Sequence, residues 1–377
     1  MLTEFNPFQL SGYHGPDLFC NRKQETRKLI SNIKNGVNTT LLSIRRMGKT
    51  GLIYHTFNSL NKMSGVHCVY IDIYATQNLK EFTNQIGTAV LKAFPEKHSI
   101  GKKFLQLLKN FRPVISFDPL TNLPEVSFDF VQTKQYENSL TGIFAFLENQ
   151  GITIALAIDE FQQIADYPER NTEALLRGII QPLKNVRFIF SGSSKHMLND
   201  IFSNSKRPFF ASTHTLTLGT IKKEDYVLFI ERIFSERKRK IRTDALEFIT
   251  DWSRLHTYYT QVVCNRIFAT GLRDITLHQV QMECNDLLKE QEGVFFQYRN
   301  LLTSGQWELL KAIAKEDKVH HPSSKEFIGK HNIGTPANIQ RGLEALLNKE
   351  LVYREHDQNG RYYSVYDCFL ARWLERK

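Results

Sequence analysis

Cysteine is scarce and scattered. The 377 residues hold five (Cys20, Cys68, Cys264, Cys284, Cys368), with no C-x-x-C pair and no tight Cys/His cluster. That spacing excludes a disulfide framework and a zinc site, and it fits a reduced cytoplasm. Long apolar runs are missing too. None approaches the about 20 residues that cross a bilayer, so no membrane partner is expected. The opening "MLTEFNPFQLSGYHG" has neither a basic start nor a continuous apolar stretch, so it does not read as a signal peptide. No tract is low in complexity. The 12 histidines are dispersed, and no Ser/His/Asp constellation assembles, which leaves nucleophilic chemistry without a signal.

What is present is ordinary for a folded chain: 41% hydrophobic and 12% aromatic residues, at a length suited to two or three domains. The net charge of +10 raises the possibility of nucleic acid. Its distribution argues otherwise: residues 1–218 carry an excess of seven positive charges, residues 219–299 of one and residues 300–377 of two. The densest basic run, "ERKRKIR" from Glu236 to Arg242, reads as a solvated helix end.

Three regions follow from the patterning. In residues 1–218, helical spacing over 22–35, 50–61, 78–93 and 171–182 alternates with β-type runs at 39–44, 66–74, 151–159 and 186–193. "GITIALAID" is nearly all apolar, as in a strand buried on both faces. This order predicts an α/β domain with a parallel sheet wrapped on both sides. "RPVISFDPLTNLPEVSFDF" (112–130) predicts an inserted hairpin. Residues 219–299 read as a small helical domain, with Thr220 as the cap of its first helix. Residues 300–377 predict helices, one capped by Thr335 with Pro336 in its first turn, then a hairpin about Asn359-Gly360. Three helices and a terminal hairpin describe a winged helix-turn-helix.

The residues that carry chemistry lie at strand ends. "SIRRMGKT" matches G-x-x-x-x-G-K-[ST] at every fixed position but the first: Ser43, then Ile44, Arg45, Arg46, Met47, Gly48, Lys49 and Thr50, with Gly51 beginning the helix. Such a loop surrounds phosphates with backbone N–H groups, reaches the β/γ oxygens with Lys49 and places the Thr50 hydroxyl in a Mg2+ shell. Gly48 lets the backbone approach phosphate, whereas position 43 mainly ends the strand. About a hundred residues on, "ITIALAIDE" brings Asp159 and Glu160 to the same sheet edge. Asp159 would hold Mg2+ through water, and Glu160 would activate the attacking water. Ser191 and Ser193 in "FIFSGSS" stand where a polar group could sense the γ-phosphate; an ordinary strand-to-helix turn is the plainer alternative. Tyr13 and Phe19 are candidate stacking surfaces for a base, or simply core.

The order "NPF…FCNR…RRMGKT…AIDEFQQI…FIFSGSS…HTYYTQ" resembles the archaeal-type, AAA-type ATPases of the STAND-related P-loop NTPase group over nearly the whole chain. The resemblance implies a P-loop ATPase core, a helical lid and a C-terminal winged helix. It also implies ATP with Mg2+, Lys49 and Thr50 in the Walker A loop, Asp159 and Glu160 in Walker B, and Ser191 as sensor 1. "RLHTYYTQ" (254–261) occupies the place of a Gly-His-Pro-Tyr-Tyr lid motif, with Leu255 for the glycine and Thr257 for the proline. Ser43 also departs from glycine.

Arg177 and Arg207 are candidates for an arginine finger, within the chain or across a homo-oligomer; a helix-surface ion pair and a loop contact are their plainer readings. The expected function is an ATPase switch or small motor with output through the winged helix. Asn338, Gln340, Arg341 and Arg361 would meet DNA; the small charge excess there equally suits a protein partner. A DNA-binding regulator with a vestigial nucleotide site and a nucleotide-binding adaptor are the alternatives.

Overall fold

The computed structural model describes residues 5–111, 113–128 and 132–376. They form two compact units, one of residues 11–220 and one of residues 5–10 with 221–376.

The first unit runs α1 (Lys23–Lys34), β1 (Thr39–Leu42), α2 (Lys49–Leu60), β2 (Val66–Asp72), α3 (Leu79–Ala93), α4 (Ser99–Lys109), β3 (Pro113–Phe117), β4 (Pro124–Phe128), α5 (Thr133–Glu148), β5 (Thr153–Asp159), α6 (Thr172–Ile180), β6 (Val186–Gly192), α7 (Lys195–Ser203) and β7 (His214–Thr217). Five strands make a wholly parallel sheet in the order β2-β5-β6-β1-β7. Alternation along β5 shows how sequence selects face. Ile154, Leu156 and Ile158 join the core with α3 and α5, while Ala155 and Ala157 join the core with α1 and α2. Burying each of the larger three contributes about 1.5–3 kcal/mol relative to exposure. Period two then directs Asp159 to the α2 face.

The predicted α/β wrap holds. The hairpin is present as β3 and β4, antiparallel, with Val126 and Phe128 buried; Arg112, Asp129 and Phe130 of the predicted span lie outside the described residues. Helices α4 and α5 and strand β7 are additional to the elements predicted from the pattern.

The second unit continues α8 (Lys223–Glu236), β8 (Lys240–Ile241), α9 (Thr243–Trp252), α10 (Thr257–Ala269), β9 (Asp274–Ile275), α11 (Leu277–Asn300), α12 (Ser304–Glu316), α13 (Lys325–His331), α14 (Pro336–Asn348), β10 (Val352–Asp357), β11 (Gly360–Val365) and α15 (Cys368–Leu374). Phe8, from the N-terminal segment, packs against Phe234 and Phe268. The cap expected at Thr220 is corrected: α8 starts at Lys223 behind Lys222, with no side-chain cap, so Thr220 lies outside its first turn. Thr335 does cap α14, accepting from the Asn338 N–H. Helices α12 to α14 and the β10–β11 hairpin make the winged helix, which α15 extends. The hairpin turn falls one residue earlier than predicted: Asp357 pairs with Gly360, leaving Gln358 and Asn359 as the loop.

Candidate nucleotide site at the carboxyl edge of the sheet

The loop between β1 and α2 turns through two left-handed residues, Arg46 (φ 61°) and Gly48 (φ 88°). Gly48 tolerates this because it has no Cβ. No side chain caps α2, so the N–H groups of its first turn are available to an anion. Arg45 and Arg46 are exposed; Met47 is buried in the core under α1 and α2.

Lys49 is only 8% exposed, and its ammonium reaches the Ser43 hydroxyl at 3.3 Å. Ser43 in turn donates to the Ile44 carbonyl at 2.8 Å. The residue that departs from the glycine template therefore supplies a hydroxyl to the lysine. Burial pushes the Lys49 ammonium below its usual value; Asp159 and Glu160 pull it upward, and Arg45 pushes it lower.

Asp159, 4% exposed, is the centre of the arrangement. Its Oδ2 accepts from the Thr50 hydroxyl at 2.8 Å and the Tyr70 hydroxyl at 2.9 Å. Its Oδ1 accepts from the Ser191 hydroxyl at 2.6 Å and the Glu160 N–H at 3.1 Å. Burial, then Asp159, push the Tyr70 phenol far above its usual value, so it stays a donor. Glu160 sits in the left-handed region (φ 57°), and its carboxylate has partners distinct from those of Asp159. Its Oε2 accepts from the Ser193 N–H at 3.0 Å, the Ser193 hydroxyl at 2.8 Å and the Gln162 amide. A Cβ on Gly192 would lie 1.9 Å from Gln162 Oε1, so that glycine leaves room for the amide.

The structure thus brings Ser43, Lys49, Thr50, Asp159, Glu160, Ser191 and Ser193 to one edge of one sheet. The aromatic candidates lie beside α2, Phe19 within 3.4 Å of where a Cβ on Gly51 would stand, and Arg177 and Arg207 pack elsewhere. Phe19 stacks on His55 at 4.2 Å and 16°, and the Tyr13 hydroxyl lies 3.0 Å from His55 Nδ1, so these rings occupy one another. Arg207, in the loop after α7, pairs with Glu173 of α6 at 2.6 Å and Asp200 of α7 at 3.4 Å. Arg177 is half-buried on α6. Sequence reasoning missed Tyr70, Gln162 and Asp72. Asp72 ends β2 in register with Asp159, and burial raises its carboxyl above the usual range. The available signal was positional: the last residues of a strand adjacent to β5 must share its edge.

Oxygen ligands from Thr50 and Asp159 suit a hard divalent cation, and a buried ammonium beside an uncapped helix start suits phosphate.

A family model described as an ATPase domain predominantly from Archaea matches residues 19–256, and one described as a probable winged helix domain matches residues 293–376. No curated protein matches the chain. Among solved structures, the Walker-type ATPase paby2304 of Pyrococcus abyssi is similar at 18% identity and a TM-score of 0.66, over 98% of this chain and 99% of that one. The ORC2 protein of Aeropyrum pernix, in ADPNP-ADP complexes, is similar at 13% identity and a TM-score of 0.56, over 99% and 98%. The ORC1 protein of the same organism, in complex with DNA, is similar at 12% identity and a TM-score of 0.50, over 96% and 93%. Likeness at these identities shows a shared fold.

Proposed function

The chain belongs to the family of ATPase domains predominantly from Archaea, and we propose that it binds and hydrolyses ATP with Mg2+ and uses the change as a switch. The observation that carries this reading is the company kept by Lys49 and Asp159: both are buried, and their hydrogen-bond partners are neutral hydroxyls and an amide. A lysine and a carboxylate held this way keep their fields for a ligand.

In this reading Lys49 and the first-turn N–H groups of α2 bind and orient the β- and γ-phosphates. Thr50 and Asp159 would hold Mg2+, which neutralises charge on the phosphate oxygens. Among the described residues no group of three or more His, Cys, Asp or Glu could hold a metal alone, so the ion would be shared with phosphate. Glu160 is the candidate to orient the attacking water through its Oε1, Ser193 and Gln162 fixing the other oxygen. Ser191 holds Asp159 from the far side. Finer placement in the AAA-type, STAND-related group, residues 219–299 as a lid, self-association and a cytoplasmic setting belong to the same proposal. Among the described residues no disulfide joins the five cysteines, and no helix is long and apolar enough to cross a membrane.

Nucleotide binding and phosphate release with Mg2+ test it, in wild type, Lys49→Ala and Glu160→Gln. Binding lost in the first and turnover lost in the second are expected. A wild type that binds no nucleotide rejects the reading.

Output through the winged helix would go to a protein or to DNA. DNA is kept as the second reading because an open hollow of about 430 Å³ is lined in part by His320, His321, Ser323, Gln340 and Arg361, which can donate hydrogen bonds. Salt-sensitive DNA binding that ignores ATP would favour that reading over the switch.

A further inference from the structure

Asp159 is fully subscribed. A carboxylate offers about four acceptor sites, and the donors from Thr50, Tyr70, Ser191 and the Glu160 N–H fill them. Three of the four come from segments with an assigned part in the ATPase reading. Tyr70 does not. It lies on β2 opposite Ala157, two residues before the Asp72–Asp159 pair, and faces the core beneath α1 and α2. Its ring packs on Tyr54 of α2 at 4.8 Å, which fixes the phenol from the helix side. The hydroxyl then spans two residues along the sheet to reach Oδ2 of Asp159.

Resting on the ATPase reading, the consequence concerns the donor that must leave. Thr50 and Tyr70 share Oδ2, and Thr50 is the one whose hydroxyl would turn to a cation bound with nucleotide. Tyr70 is then the donor that keeps Oδ2 in place. A neutral phenol suits this part better than a cation would, because it orients the carboxylate without cancelling the charge that attracts the ion. We infer that Tyr70 is a positioning residue for the divalent cation of the nucleotide complex, its hydroxyl holding the Asp159 carboxylate once Thr50 has moved to the ion.

The test is a Mg2+ titration of fluorescent ADP binding, run beside ADP binding in excess chelator, for wild type, Tyr70→Phe and Tyr54→Phe. Tyr70→Phe keeps the ring and its packing and removes only the hydroxyl. Its apparent Mg2+ affinity should fall by about tenfold, the lower end of what outer partners of metal ligands provide. ADP affinity in chelator should stay within about twofold of wild type, and Tyr54→Phe should match wild type in both measurements. An unchanged Mg2+ titration in Tyr70→Phe overturns the inference and leaves the ATPase reading standing. So does an equal loss with and without Mg2+, which marks general packing, or the same loss in Tyr54→Phe, which shows that the effect is not particular to the hydroxyl that meets Asp159. Wild type that shows no ADP binding overturns both.

Discussion

Two of the places, among the described residues, where charge is taken out of solvent beside a left-handed backbone do opposite things with it. At the sheet edge, Lys49 and Asp159 are 8% and 4% exposed and hydrogen-bond to neutral groups, feeling each other's charge without an ion pair, with Glu160 at φ 57° alongside. At the turn after α9, Arg254 (φ 55°) has a side chain 14% exposed and meets Asp317 Oδ1 at 2.9 Å and Glu375 Oε1 at 3.0 Å. Arg372 adds bonds to the Asp251 and Trp252 carbonyls at 2.8 Å, so the turn is stapled to α15. A buried charge neutralised by its own chain has little field left for a ligand. One solvated by hydroxyls and amides keeps its field. The partners of a buried charge therefore separate a candidate site from a structural staple better than burial does.

Asp159→Asn is the strongest attempt to break this contrast. The amide keeps the shape but presents N–H groups where one oxygen accepted two partly buried hydroxyls. Unfolding by urea should show a loss of about 2–3 kcal/mol, because those donors then face a donor. Mg2+-dependent nucleotide binding should go with it. Arg254→Ala should cost less, about 1–2 kcal/mol, since Glu375 keeps Arg372 at 2.9 Å and Asp317 is half exposed. Nucleotide affinity in Arg254→Ala should equal wild type. A drop would mean that the staple also serves the ligand, and the contrast would fail.

Gly48→Ala sharpens the same comparison at the level of backbone. Gly48 and Leu255 both sit in the left-handed region, at φ 88° and 56°. Leu255 stands where the resemblance places glycine, so the turn keeps the glycine conformation without the glycine. At Gly48 the strain of a Cβ should cost about 1 kcal/mol in the same unfolding assay. Nucleotide binding should weaken further than that, because the side chain obstructs approach of phosphate to the loop.

Much of the site is legible from sequence, and the reason is local. Gly48-Lys49-Thr50 and Asp159-Glu160 each lie at a strand end flagged by an apolar run, and the parallel order makes strand ends converge. Tyr70 is invisible by comparison, because its partner lies 89 residues away and only the β2–β5 register joins them. Ser43 departs from the glycine template in sequence, and only the fold shows that its hydroxyl meets Lys49. The missed elements fail for other reasons. Helix α5, "TKQYENSLTGIFAFLE", is built largely from poor helix formers, and its period is set by burial of Tyr136, Leu140, Ile143, Phe144 and Leu147. Strand β7 has four residues and no buried one, so no alternation announces it.

The smallest expected effect concerns a third arrangement, charge paired near the surface. Glu316 ends α12, and its Oε1 lies 2.6 Å from Lys330 Nζ and 2.7 Å from His331 Nε2. The hydrogen bond from Lys330, then that from His331, hold its carboxyl below the usual range. A carboxyl depressed on folding contributes stability above its unfolded value, and that contribution disappears as pH falls through the folded one. Wild type should therefore lose more stability between pH 7 and pH 3 than Glu316→Gln does, read as the difference of urea midpoints. Lys330 is 63% exposed, so solvent screening limits the gap to about 0.5 kcal/mol, and 1 M salt should shrink it further. Equal pH losses in the two proteins would show that surface pairing here contributes nothing. A gap as large as the Arg254 effect would mean that burial is not what separates the staple at the α9 turn from an ordinary surface pair.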